Sequence, residues 1–147
     1  MAATGSHSTP ADEPVARVLV YSDDRGTREK VRLALGRRPA PDLPRLEVEE
    51  VATEPELVRR MDAGGIDLAV LDGEAVPAGG MGIARQLKDE IYRCPPLLVL
   101  IGRVADRWLA AWSRADGVVS HPLDPMALAA EAARLLRARD AVAHARR

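Results

Sequence analysis

Residues 15–24 have the sequence VARVLVYSDD, and residues 66–72 have the sequence IDLAVLD. Each stretch is a short apolar run that predicts a buried strand, and each ends in aspartate. If the two strands lie parallel and side by side, their carboxyl ends meet at one edge of the sheet, where open α/β sheets form their ligand sites. The pattern therefore brings Asp23, Asp24 and Asp72 together, and carboxylate oxygens are ligands that suit a hard divalent cation such as Mg²⁺.

Short apolar runs and longer amphipathic segments alternate along the chain up to residue 138. The predicted strands cover residues 16–21, 46–52, 66–71, 97–101 and 118–120, and the predicted helices cover residues 25–37, 54–63, 83–91, 104–115 and 125–138. Strand–helix units in strict alternation predict a doubly wound α/β domain, a parallel sheet with helices on both faces. The uniformly apolar third strand is expected at the centre of the sheet, and the alternating second strand at its edge.

The composition is that of a globular protein. The chain has 147 residues, of which 47% are apolar and 29% are charged, and its formal net charge is −1. We expect a cytoplasmic protein that does not bind nucleic acid and has no membrane span, since no apolar stretch approaches the roughly 20 residues that cross a bilayer. We also expect a disordered leader over residues 1–14, a domain over 15–138, and a tail over 139–147 that extends the last helix or frays.

The domain resembles the receiver domains of bacterial response regulators, the CheY-like superfamily. The resemblance begins at residues 18–25 (VLVYSDDR), continues at 68–72 (LAVLD) and closes at 121–124 (HPLD). It implies a flavodoxin-like (βα)5 fold with a five-stranded parallel sheet of order 2-1-3-4-5. It also implies that the protein acts in two-component or phosphorelay signalling.

The resemblance implies a role for each member of the acidic group. Asp72 would be the phosphoacceptor, Asp23 and Asp24 would hold Mg²⁺ directly or through water, and the backbone carbonyl of Glu74 would be a further ligand. A carboxylate is a competent nucleophile toward a phosphoryl group when a divalent cation offsets the negative charge. The side chain of Glu74, if it turns inward, would add negative charge where phosphate arrives.

Three positions depart from the family. The resemblance implies a Ser or Thr at the end of the fourth strand, an aromatic switch residue on the fifth strand, and a Lys before the proline that follows it. This chain has Ile101, Val118 and His121 there. Isoleucine has no hydrogen-bonding group, and imidazole is shorter than lysine and has no permanent charge. We therefore expect weak or absent phospho-switching, and a hydrogen bond between His121 and Asp72.

Trp108 and Trp112 lie four residues apart on the predicted fourth helix and so share one face. We expect one of them to pack into the core, and a partly exposed tryptophan to serve a protein interface. The resemblance implies that the surface of the fourth helix, fifth strand and fifth helix binds signalling partners or forms a homodimer.

We predict a stand-alone, atypical response regulator that is not an enzyme and acts through protein–protein contacts. One alternative is a functional phosphoacceptor that a histidine kinase modifies at Asp72. Another is a small nucleotide-binding or enzymatic domain, because a fold does not determine function. The Gly-rich segment over residues 73–82 lacks the fingerprints of nucleotide-binding loops.

Overall fold

The computed structural model describes residues 13–76, 78–102 and 107–145. In these residues the strands are β1 (Val15–Tyr21), β2 (Arg45–Val51), β3 (Leu68–Asp72), β4 (Leu97–Ile101) and β5 (Gly117–Ser120). The helices are α1 (Arg25–Leu35), α2 (Glu54–Asp62), α3 (Gly80–Glu90), α4 (Arg107–Trp112) and α5 (Pro125–Ala145). The predicted leader lies outside the described residues up to residue 12.

The strands form one parallel sheet of order β2-β1-β3-β4-β5, which confirms the predicted fold. The strand β1 lies between β2 and β3, so Val18 is opposite Val48 on one side and Leu68 on the other. The connection after β1 therefore leads to β2 on one side of the sheet, and the connection after β3 leads to β4 on the other side. This switch point opens a crevice at the carboxyl ends of these two strands, where the aspartates lie.

The sheet has an aliphatic core on each face, because successive residues of a strand point to opposite sides. Val70 and its neighbours two residues away pack against α1 and α5, where Leu35 and Leu128 are fully buried. Leu71 and its counterparts pack on the other face, against Leu57 of α2 and the buried residues of α3. Because both faces are covered, β3 and β4 are buried along their whole length.

Two helix boundaries differ from the predicted ones because of glycine. The helix α1 ends at Leu35 rather than at residue 37, since Gly36 adopts a φ of 60° and donates its N–H to the Arg32 carbonyl at 3.1 Å. The helix α3 begins at Gly80 rather than at residue 83. A Cβ at Gly80 would lie 2.8 Å from the carbonyl oxygen of Asp72, so the absent side chain lets α3 start directly against the end of β3.

The last two helices also differ in length from the prediction. The structure describes α4 over Arg107–Trp112, and the start of the predicted helix, residues 104–106, lies outside the described residues. The helix α5 continues to Ala145, so the tail is helical as far as that residue. Among the described residues, no helix combines the length and the apolar character that crossing a membrane requires.

Candidate functional site at the carboxyl edge of the sheet

Asp72 is the last residue of β3 and lies at the carboxyl edge of the sheet. It is only 3% exposed, so its carboxylate depends on donors within the protein. The Oδ1 atom accepts a hydrogen bond from the backbone N–H of Glu74 at 2.9 Å, and Oδ2 accepts one from the Ser22 hydroxyl at 2.7 Å. Both oxygens of the predicted phosphoacceptor are therefore engaged by neutral donors.

Ser22 is a member of this site that the sequence analysis missed. It is fully buried and follows the last residue of β1 directly. Its hydroxyl donates to Asp72 and accepts a hydrogen bond from the backbone N–H of Asp24 at 3.0 Å. The signal that could have found it is position: the first residue after β1 is the one that reaches the crevice beside β3.

Asp23 and Asp24 are both exposed and have different partners. Asp24 is the N-cap of α1, and its carboxylate accepts hydrogen bonds from the Thr27 hydroxyl at 2.8 Å and from the N–H groups of Gly26 and Thr27 at 3.2 and 3.3 Å. The Thr27 hydroxyl, followed by the Gly26 N–H, holds the pKa of Asp24 below its ordinary value. The Oδ1 atom of Asp23 accepts from the backbone N–H of Val76 at 3.2 Å, in the loop after β3.

The predicted metal ligands are not assembled as a set. In the described part of the chain, no group of three or more His, Cys, Asp or Glu side chains is arranged to hold a metal ion. The carboxylate of Asp24 accepts its hydrogen bonds from the first turn of α1, and its role in holding a metal ion stays a prediction. The participation of Asp23, Asp72 and the Glu74 carbonyl stays a prediction.

The three departing positions lie at the end of β4, within β5 and directly after β5. Ile101 ends β4 and is fully buried in the core that faces α3, and Val118 is partly buried against the same core. The backbone N–H of His121 donates to the Ile101 carbonyl at 2.8 Å, and the peptide bond between His121 and Pro122 is cis. The Nε2 atom of His121 lies 3.9 Å from Asp72 Oδ1, which is too long for the predicted hydrogen bond.

Glu74 places a further carboxylate at this edge. Its side chain lies directly over Gly102, the residue that follows β4, and a Cβ built on Gly102 would overlap the Glu74 carboxylate. Gly102 therefore leaves the space that the Glu74 side chain occupies. The side chain of Glu74 is thus directed toward the end of β4.

The negative charge of the edge also acts on Tyr21, the last residue of β1. Burial raises the pKa of Tyr21, and the nearby carboxylates of Glu54, Asp23 and Asp72 raise it further. The Tyr21 hydroxyl donates to the carbonyl of Ala78 at 2.6 Å, which ties β1 to the loop before α3. The neutral phenol is the form that this acidic environment favours.

Both tryptophans of α4 are exposed, Trp108 by 68% and Trp112 by 48%. The prediction that one of them packs into the core is therefore wrong. The guanidinium of Arg85 lies 5.0 Å from the centre of the Trp112 ring and donates to the Trp112 carbonyl at 2.8 Å. Arg85, which belongs to α3, thus covers part of Trp112 and leaves the rest of this α4 tryptophan face, Trp108 and Trp112, at the surface.

Comparison by sequence identifies the family. No protein-family model matches the chain. An uncharacterized response regulatory protein of Mycobacterium tuberculosis strain H37Rv is 60% identical over 129 residues, which are 88% of this chain and 97% of the relative, and its counterpart in strain CDC 1551 / Oshkosh matches equally. The chain belongs to the response regulator family. It is a receiver domain of two-component signalling, in a family of typically non-enzymatic signalling domains.

Solved structures of receiver domains share the fold of this response regulator. The chemotaxis response regulator CheY4 of Vibrio cholerae superimposes with a TM-score of 0.69 at 21% identity, over 83% of this chain and 99% of that chain. A CheY-like receiver domain protein from Methanospirillum hungatei JF-1 gives a TM-score of 0.70 at 17% identity, over 86% and 98% of the two chains. Receiver domains generally bind Mg²⁺ at their phosphorylation site.

Proposed function

We propose that this response regulator is an atypical receiver that acts through protein–protein contacts and switches weakly or not at all on phosphorylation of Asp72. One observation carries the proposal. The end of β4, where a receiver is expected to offer a hydroxyl to the phosphoryl group, has Ile101, whose side chain is fully buried in the core. An aliphatic side chain cannot accept or donate a hydrogen bond, so this position cannot sense the new group.

The weak positive charge next to Asp72 supports the same proposal. Negative charge develops on the phosphoryl group during its transfer to aspartate and remains on the product. An ammonium or guanidinium group would offset this charge. Among the described residues, His121 is the one basic side chain within ion-pair distance of Asp72, and its Nε2 atom is 3.9 Å from Oδ1. Imidazole is a weaker partner for phosphate than lysine because its charge depends on pH.

Access to Asp72 is restricted as well. Asp72 is only 3% exposed, and each of its oxygens accepts a hydrogen bond within the protein, which lowers the nucleophilicity of the carboxylate. The carboxylate of Glu74 lies over Gly102 at the same edge, where it repels an anionic phosphodonor. Each effect slows phosphorylation without affecting the fold.

Such a regulator transmits its signal by binding another protein. The exposed tryptophan face of α4, together with β5 and α5, is the surface that we propose for a signalling partner or for a homodimer. Tryptophan is enriched among the residues that dominate binding energy at interfaces. A histidine kinase is the partner that the family implies, and Mg²⁺ would bind weakly at the acidic edge.

A phosphodonor assay tests the proposal. The protein is incubated with acetyl phosphate and Mg²⁺, and the intact mass is followed over time for the parent chain and for Asp72→Asn. We expect little or no phosphorylation of either. Rapid phosphorylation of the parent that is absent in Asp72→Asn would refute the proposal and establish a functional phosphoacceptor.

A gain-of-function variant provides the matched control. The double variant Ile101→Thr/His121→Lys restores a hydroxyl and an ammonium to the two positions that lack them. We expect it to be phosphorylated at Asp72 at least about ten times faster than the parent, the effect of about 1.4 kcal/mol of added stabilisation. An equal rate for the parent and a folded double variant would show that these positions do not limit the reaction.

A further inference from the structure

Ser22 is a buried residue whose polar groups are all hydrogen-bonded. Its N–H donates to the Val51 carbonyl at 3.3 Å, and its carbonyl accepts from Nη1 of Arg28 at 2.7 Å. Its hydroxyl accepts from the N–H of Asp24 at 3.0 Å and donates to Oδ2 of Asp72 at 2.7 Å. The backbone of Ser22 is thus held on both sides, and rotation of its side chain would break both hydrogen bonds of the hydroxyl.

The contact between Ser22 and Asp72 is of the strong, charge-assisted kind. The distance of 2.7 Å lies within the range for a hydroxyl that donates to a carboxylate. A buried carboxylate needs such partners, because an unpaired charge is costly to remove from water. In the ranges that the structure describes, Asp72 has this hydroxyl, the Glu74 amide and the more distant His121 as its partners.

Ser22 lies directly after β1 and beside Asp72, because Tyr21 is paired with Leu71. A carboxylate at position 22 would lie directly beside Asp72, whereas Asp24 caps α1 and Asp23 accepts a hydrogen bond from Val76. We infer that Ser22 is the positioning residue of Asp72 and stands where a second carboxylate ligand would be needed, so that this edge binds divalent cations weakly. The inference rests on the proposed function. It adds that the affinity of the site for divalent cations is lowered, as well as its response to a phosphoryl group.

Titration with MgCl₂ alone tests this inference, without a phosphodonor. Calorimetry and thermal denaturation are followed for the parent, Ser22→Ala and Ser22→Asp, with Leu33→Asp as a control that adds the same charge on the exposed surface of α1. Ligand charge tunes the affinity of oxygen sites for divalent cations. We expect Ser22→Asp to bind Mg²⁺ at least about ten times more tightly than the parent, and Leu33→Asp to match the parent.

Equal Mg²⁺ affinity of the parent and a folded Ser22→Asp variant would overturn the inference. If Ser22→Asp does not fold, NMR of the carboxyl groups provides the test. We expect Ser22→Ala to shift the carboxyl resonance of Asp72 and Ser22→Thr to return it to its position in the parent. The carboxyl resonance of Asp89, the control, should not move in either variant. An unmoved Asp72 resonance would refute the positioning role. A parent that binds Mg²⁺ tightly yet is not phosphorylated would contradict this inference and leave the proposed lack of phospho-switching intact. A rapidly phosphorylated parent that binds Mg²⁺ weakly would contradict the proposed lack of phospho-switching and leave this inference intact.

Discussion

Gly73 shows how a single residue holds the acidic edge together. It follows Asp72 directly, and its N–H donates to the Leu100 carbonyl at 2.7 Å, which extends the contact between β3 and β4 beyond the end of β3. A Cβ at Gly73 would lie 2.6 Å from that same oxygen. Any side chain at this position would therefore force the two strands apart where Asp72 is held.

We predict that Gly73→Ala lowers the free energy of unfolding by about 1–3 kcal/mol, the usual cost of overpacking. Urea denaturation of the variant and the parent measures it. Gly82→Ala is the matched control, because Gly82 lies in α3 and a Cβ there would meet nothing within 4 Å. Alanine should stabilise that helix by up to about 1 kcal/mol. Equal effects of the two substitutions would show that the backbone approach at Gly73 is not tight.

The start of α1 shows how an element determines the use of a site residue. The helix begins at Arg25, and the residue before it must accept the free N–H groups of the first turn. Asp24 does so with both carboxylate oxygens. A carboxylate that accepts hydrogen bonds at a helix terminus contributes to the stability of that helix.

We predict that Asp24→Ala lowers the melting temperature by about 2–5 °C at neutral pH, the usual effect of losing a cap in a domain of this size. The pKa of Asp24 is lower in the folded protein than its ordinary value of 3.8. The stabilisation is therefore complete above that value and is lost as the pH falls through the lowered pKa.

Thermal denaturation as a function of pH measures this difference. The gap between the parent and Asp24→Ala should close in acid. Asp24→Asn, which keeps a capping oxygen without a titratable group, should retain most of the stability at all pH values. A melting temperature of Asp24→Ala equal to that of the parent at neutral pH would show that the cap is unimportant.

At the scale of the whole molecule, the interior and the surface have different chemistry. The cores on the two faces of the sheet are built mainly from Leu, Val, Ile and Ala, since the chain has no Phe. Both of its tryptophans lie on α4 and are exposed. The largest apolar side chains of this protein are thus on its surface, next to α3.

We predict that Trp108→Ala weakens self-association or partner binding through the α4 tryptophan face at least about ten-fold, which is the effect of losing a moderate hot spot. Analytical ultracentrifugation over a range of concentrations measures self-association. Leu33→Ala is the control, because Leu33 is 73% exposed but lies on α1. A homodimer that Trp108→Ala leaves intact would exclude this face as the dimer interface.

The parallel sheet and the location of the acidic edge followed from the sequence pattern, whereas the order of the strands followed from the resemblance to receiver domains. Apolar runs of strand length, separated by amphipathic helices, leave few topologies open, because parallel strands need crossover connections of consistent hand. The uniform apolar character of residues 68–71 placed β3 in the interior of the sheet, and Asp72 at its end. Helix ends were less predictable, since Gly36 and Gly80 act through a backbone conformation and a close approach.

The tertiary structure alone decided which side chains meet. The run Ser22, Asp23, Asp24 offers three polar residues in a row, and the sequence favoured the two carboxylates. In the structure, β1 ends at Tyr21 and α1 begins at Arg25, so the buried side chain beside Asp72 is that of Ser22. A shift of one residue along an extended chain reverses the direction of a side chain, and contacts between β1 and β3 set that register.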